Sequence, residues 1–225
     1  MNNYKINKLK NGLKIIKINI PNYKTCSIVA SIKVGSKYES LKENGAAHFL
    51  EHVNFRGTTK IKNANAITYE LDSMGCSFNA YTTKQITVYH FKTAYDIKYI
   101  DKILFILSQI LFESKHKLSD IESERKIILE ELKKTLDNPD ESIDDHICEM
   151  IFKNSPLALT TLGKRKTIKG IEQKTIHKFY QKYYVPNNMV ISIAGKVPSD
   201  IDNMVKKYFA KYSMSNNLDR IIIPY

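Results

Sequence analysis

The chain has no tryptophan, and only 8 glycines, 6 prolines and 3 cysteines among its 225 residues. So little glycine and proline excludes a collagen-like or low-complexity chain. A hydrophobic share of 43% excludes one too polar to build a core. No apolar run reaches the roughly 18 to 20 residues a helix needs to span a bilayer. The best stretch, Ile97 to Phe112, is broken by Lys98, Asp101, Lys102, Ser108 and Gln109. The opening, MNNYKINKLKNGLKII, alternates polar and apolar residues and lacks the apolar segment, roughly 7 to 15 residues long, of a signal peptide. These absences predict a protein that stays where it is made: cytoplasmic, with an organellar matrix also compatible. Cys26, Cys76 and Cys148 are odd in number, far apart and without C-x-x-C spacing. That argues against a disulfide framework and a cysteine zinc site, and leaves three ordinary thiols.

What the chain has in excess is positive charge, 35 Lys and Arg against 23 acids for a net +12. The lysines are spread through nearly every segment without a block of like charges, so no nucleic-acid site is expected.

The length suits one domain, and no composition break divides residues 1–225. Tyr4 to Leu9 and Leu13 to Ile20 read as a hairpin around Asn11-Gly12, followed by a strand from Thr25 to Val34. A short helix begins at Asn44 as N-cap, and a second covers Ala64 to Met74 and stops at Gly75. Two strands follow, Ser77 to Thr82 and Gln85 to Lys92, then a helix from Ala94 to Phe112. The next helix opens on a Ser119/Glu122 capping box and ends at Asn138-Pro139; Asp140 caps another that runs to Asn154. Residues 155–170 read as a loop, and Glu172 to Tyr184, Met189 to Ala194 and Ser199 to Tyr212 as helix, strand and helix. Hairpins dominate the strand pairing. The expected fold class is α+β, a mainly antiparallel sheet with helices packed on one face.

Chemistry concentrates in His48-Phe-Leu-Glu51-His52. Residues four apart on a helix differ by about 40° in direction, so both imidazoles leave one face and can share a metal. Zinc suits two neutral imidazoles, and Glu51, beside the second, can reach water at the metal as a general base. A catalytic zinc site needs a third protein ligand. The helix after Ser119 offers Glu124 and Glu131, which are about 20° from alignment, with Glu130 about 100° away and Ile127, Ile128, Leu129 and Leu132 as its buried side. On spacing alone the same helix reads equally well as one with ordinary exposed glutamates.

H-x-x-E-H is the inverse of the thermolysin-type zinc motif and resembles that of the inverzincins: pitrilysin, insulin-degrading enzyme and the mitochondrial processing peptidase. The resemblance extends to Gly45-Ala-Ala-His-Phe-Leu-Glu-His52 with Phe55-Arg-Gly-Thr58. It continues in Leu71-Asp-Ser-Met-Gly-Cys-Ser-Phe-Asn79-Ala-Tyr-Thr-Thr83, in Glu124-Arg-Lys-Ile-Ile-Leu-Glu-Glu131, and in Tyr183-Tyr-Val-Pro-Asn-Asn-Met189 with Ala194-Gly195. In order, these span Asn7 to Tyr225 and resemble the N-terminal, zinc-bearing half of that family.

The resemblance implies a processing-peptidase-like metallohydrolase domain and a zinc endopeptidase acting on peptides or precursor proteins. His48 and His52 would be zinc ligands, with Glu51 activating a zinc-bound water. Glu130 and Glu131 both lie at the distance from His52 where relatives carry the third ligand; the seven-residue step from Glu124 selects Glu131. Glu124 would support the site, and Asn79 and Ala80 would lie on the edge strand to which a substrate peptide adds. Two positions depart from the family: Gln85 stands where relatives carry Glu, and Ser155 to Thr160 lacks the usual His and Gly. The family also contains non-catalytic subunits that bind peptide or assemble complexes, which is the alternative reading. The H-x-x-E-H of S-ribosylhomocysteine lyase belongs to a shorter chain with a cysteine ligand that no Cys here matches. Family members enclose substrate between two halves. The expected partner is therefore a second half, from the same longer chain, another subunit or another copy, without which the chain binds one zinc and cleaves poorly.

Overall fold

The computed structural model describes residues 4–216 and residue 218. Six strands form one sheet: β1 (Tyr4–Lys8), β2 (Lys14–Asn19), β3 (Thr25–Ile32), β4 (Ser77–Thr82), β5 (Thr87–Ala94) and β6 (Met189–Gly195). Their order is β1-β2-β6-β3-β5-β4, which leaves β4 at a free edge among the described residues. Among the described residues only β2 and β6 pair in parallel, with Lys14 opposite Val190; the other four pairings are antiparallel. The expected α+β class and antiparallel dominance are borne out, but hairpins do not dominate: among the described residues only β1–β2 and β4–β5 are hairpins, and β6 enters from far along the chain to separate β2 from β3. The late strand β6, inserted between β2 and β3, ties the chain's last third into the sheet begun by its first.

Alternation decides which face is buried. Cys26, Ile28, Ala30 and Ile32 of β3 are fully buried, while the intervening Thr25, Ser27, Val29 and Ser31 are half-buried. Met189, Ile191, Ile193 and Gly195 of β6 repeat the pattern. Eight helices occur among the described residues: α1 (Ala46–Asn54), α2 (Ala64–Asp72), α3 (Ile97–Phe112), α4 (Leu118–Asp137), α5 (Pro139–Ile151), α6 (Arg165–Gly170), α7 (Gln173–Tyr183) and α8 (Ile201–Phe209). Phe49 and Leu50 of α1 and Ile103, Leu107 and Ile110 of α3 join the apolar strand residues in one core. Burying such a side chain contributes about 1.5–3 kcal/mol. None of the helices among the described residues is long and apolar enough to cross a membrane.

Most helix ends fall near the predicted positions, but the capping differs. The α2 stop is as expected: Gly75 adopts φ +59°, its N–H reaches Asp72 O at 2.9 Å, and that of Cys76 reaches Leu71 O at 3.1 Å. The Ser119/Glu122 capping box does not form. Helix α4 starts one residue earlier, Ser119 O accepts from Ser123 Oγ, and Glu122 is drawn to Arg125. Asn138, not Asp140, caps α5, because Pro139 with its fixed φ occupies the first helical position. Ala94 ends β5, and Asp96 caps α3. Within the predicted loop 155–170 lie a helical turn at Pro156–Ala158 and α6. Buried Ile168 supplies the apolar anchor for α6, and Thr167 closes its first turn by hydrogen bonds with Lys164. The tail of the sequence resemblance, residues 219–225, lies outside the described residues.

Candidate metal centre

Helix α1 has two chemically distinct faces. Phe49, Leu50 and Val53 enter the core, while His48, Glu51 and His52 turn toward α4 and β4. Its N-cap is Gly45 rather than Asn44, at φ +97°, where a Cβ would lie 2.4 Å from Ile168 Cδ1. Glycine has no side chain to cap with, and the Glu39 carboxylate does so from the preceding loop. Glu39 accepts from Gly45 N and Ala47 N, each at 2.7 Å, and from Asn44 Nδ2 at 2.9 Å. Burial pushes the Glu39 carboxyl up to about 7 against the pull of these donors. At the other end Asn54, fully buried, donates to Tyr89 Oη at 2.8 Å and accepts from His116 Nε2 at 2.7 Å. Tyr89 Oη in turn meets Tyr184 Oη at 2.9 Å. Both ends of α1 are thus held by buried polar contacts from the sheet and the surrounding loops and helices.

Across from α1, helix α4 buries Ile121, Ile128 and Leu132 together with Glu124. Ile127, expected on the buried side, is 47% exposed. The inward face is shared with Glu124, whose charge is compensated, and Ile127 is rotated outward. Glu124 and Glu131 therefore project to the same side, as their spacing predicts, while Glu130 is exposed.

Three ligand-type side chains converge. His48 Nε2 and His52 Nε2 lie 3.3 Å apart. Glu131 Oε1 is 3.6 Å from His48 Nε2, and Glu131 Oε2 is 3.5 Å from His52 Nε2. Tetrahedral zinc with bonds of about 2.0–2.2 Å separates its ligand atoms by about 3.3–3.6 Å. The two imidazoles have that spacing, each has one Glu131 oxygen at a similar distance, and one ligand atom from each residue lies within 4.8 Å of the others, so the donor set suits that ion. Among the described residues it is the one group of three His, Cys, Asp or Glu side chains placed to hold a metal ion.

The surroundings polarise the set. Burial and the neighbouring His52 pull His48 down to about 4. Burial also opposes protonation of His52, but hydrogen bonds to Glu124 and Glu131 outweigh it and raise His52 to about 9. The hydrogen bond from His52 holds Glu131 below the usual carboxylate range. Glu51 is 8% exposed, and burial raises its pKa although Thr82 Oγ1 donates to its Oε2 at 2.7 Å. Glu124 stands behind His52, accepting from Nδ1 at 2.9 Å.

Asn79 and Ala80 lie on the free edge strand β4, opposite His90 and Tyr89 of β5. They border a recess of about 300 Å³ that also includes Glu51, His52, Phe55 and Arg56. Thus His48, His52 and Glu131 come together, Glu51 stands beside them, Glu124 behind, and Asn79 and Ala80 at the rim. Sequence reasoning assigned no role to Glu39, Thr82 or Arg56. Thr82 and Arg56 lie inside the quoted motifs, and Glu39 precedes a helix that starts on glycine, but their partners are set by tertiary folding.

The family model described as insulinase, peptidase family M16, matches residues 14–165. The model described as the peptidase M16 inactive domain matches residues 170–224. An uncharacterized zinc protease of Rickettsia bellii is 38% identical over 205 residues, covering 91% of this chain and 48% of that protein. The mitochondrial-processing peptidase subunit beta of Saccharomyces cerevisiae is 36% identical over 211 residues, 93% of this chain and 45% of its own length. A protease from Helicobacter pylori superposes with a TM-score of 0.86 at 27% identity, covering 99% of this chain and 53% of that one. The chain spans about half the length of the curated relatives it matches.

Proposed function

Since the chain belongs to peptidase family M16, we propose that it is the metal-bearing half of a zinc endopeptidase that hydrolyses peptides or processes precursor proteins. The observation that carries this reading is the convergence of His48, His52 and Glu131, with one ligand atom from each within 4.8 Å of the others and a buried carboxylate beside them. Bound by these three side chains, zinc would act as a Lewis acid, polarising the scissile carbonyl and acidifying water.

The chain's own residues do the rest. Glu51 is the general base: Thr82 holds one carboxylate oxygen, and the other is left to take the proton of the attacking water and return it to the leaving amine. Glu124 orients His52 through Nδ1. The peptide adds to β4 as a further strand, placing its backbone along Asn79 and Ala80 beside Glu51. Residues 1–225 act as one domain, the N-terminal half of a two-half protease, and a second homologous half closes the chamber.

The test is metal analysis and peptide hydrolysis with the 225-residue chain and its Glu51→Gln variant. Both are expected to bind one zinc, with slow hydrolysis by the wild type and none by the variant. A variant that cleaves as fast as wild type overturns the role of Glu51. Stoichiometric zinc and tight peptide binding without turnover, even with a second half added, would identify a non-catalytic peptide-binding subunit instead.

A further inference from the structure

We propose that Arg56 is a positioning residue of the metal centre, acting through Glu124 to hold His52 with Nε2 facing His48 and Glu131. The inference rests on the metal-binding reading above and adds a residue to it. Arg56 lies just beyond the end of α1, where its own N–H bonds to Val53 O at 3.1 Å. From there its side chain reaches α4, and both Nε and Nη2 contact Glu124 Oε1. The other oxygen, Oε2, takes the Nδ1–H of His52 at 2.9 Å. Each oxygen of Glu124 therefore has a fixed partner, and the carboxylate cannot rotate without breaking one of them.

Two observations give this contact its weight. The Glu124 side chain is only 5% exposed, and a buried carboxylate needs a permanent countercharge. Guanidinium supplies one at every working pH, in a planar fork that fixes orientation as well as charge. The second observation is asymmetry: His48 Nδ1 has no hydrogen-bond partner among the described residues. Of the two imidazoles, only His52 has its outer nitrogen tied. The orientation of the histidine pair therefore depends on the Arg56–Glu124–His52 line. When Nδ1 donates to Glu124, the lone pair is on Nε2, the atom that lies 3.3 Å from His48 Nε2.

The experiment measures zinc affinity of the 225-residue chain by competition with a chromophoric chelator, together with unfolding of the metal-free protein. Residues that orient a metal-ligating histidine typically change metal affinity about 10–100-fold. Arg56→Gln is expected to weaken zinc binding by about that factor, and Arg56→Lys to recover part of the loss. Because Glu124 then lacks its countercharge, the metal-free protein is destabilised too, and affinities are compared where unfolding shows each variant to be folded. In a Glu124→Gln background, Arg56→Gln should add less than about twofold, because its route to His52 has gone. Fully additive losses, or zinc affinity of Arg56→Gln within about twofold of wild type, overturn the inference. Should Arg56→Gln fail to fold, the same cycle with Arg56→Lys decides it. His52→Gln serves as the control for the underlying reading: if it binds zinc as tightly as wild type, the metal site itself is misassigned, whereas its failure beside an intact Arg56→Gln refutes only the role of Arg56.

Discussion

Replacing Glu39 by alanine tests how the metal-bearing helix is held. Glu39 receives the first orphan amides of α1, those of Gly45 and Ala47, at 2.7 Å, from a position 6% exposed. Both amides belong to buried residues, so water cannot replace the lost acceptor. A buried unsatisfied amide costs about 1–3 kcal/mol, so two give roughly 4 kcal/mol. That is a large fraction of an ordinary domain's 5–15 kcal/mol. The pH dependence follows from the carboxyl's pKa, raised by burial from 4.5 to about 7. A raised pKa means that the folded state prefers the protonated form. Its contribution is complete below 4.5 and is lost as pH rises through 7. Linkage makes that loss about 2 kcal/mol larger at pH 8.5 than at pH 5.5. Urea unfolding should therefore show Glu39→Ala destabilised by about 4 kcal/mol near pH 5.5 and about 2 kcal/mol near pH 8.5. Glu39→Gln, which keeps one acceptor oxygen, should fall between. Because His48 lies in the first turn of α1, the alanine variant should also bind zinc more weakly. A gap below about 1 kcal/mol at pH 5.5 would refute the capping role. A gap that widens with pH would show that the amide donors, not burial, govern the carboxyl.

Two further outcomes are expected. Thr82→Val removes the hydroxyl that donates to Glu51 Oε2 at 2.7 Å. A hydrogen bond to a charged group contributes about 1.5–3 kcal/mol, so peptide hydrolysis should fall about 10–100-fold with zinc content unchanged and recovery in Thr82→Ser; unchanged turnover would remove Thr82 from the base's support. His116 is buried against Asn54, and burial, with His177 nearby, lowers it from 6.5 to about 4. A depressed histidine contributes stability that is complete above 6.5 and lost as pH falls toward 4, so wild type should lose up to about 3 kcal/mol more than His116→Gln over that window. Parallel loss in the two proteins, followed by urea unfolding, would exclude neutral burial of His116.

Periodicity placed nearly every element and the buried strand faces, because alternation at β3 and at β6 is local information. The pair His48 and His52 was equally legible, since helical spacing alone puts two imidazoles on one side. The choice of Glu131 over Glu130 needed family resemblance; Glu130 is exposed, and Glu131 lies 3.5–3.6 Å from the two histidines. Capping is less legible. Asn44, Ser119 and Asp140 are all good cap residues by type, but Glu39, Lys117 and Asn138 occupy or serve those places. A cap is decided by which acceptor arrives at the helix end, and that depends on how loops pack.

The sequence by itself determined that two histidines and a glutamate share one helical face, that a second helix carries aligned carboxylates, and that the sheet is mainly antiparallel. Only the tertiary structure decided that Glu39 caps the helix, that Thr82 on the edge strand holds Glu51, and that Arg56 locks Glu124 behind His52. The reason is physical. Spacing along a helix fixes the direction of a side chain, whereas the partner it meets there comes from another element, brought within about 3 Å only when the sheet and its helices close on a common core.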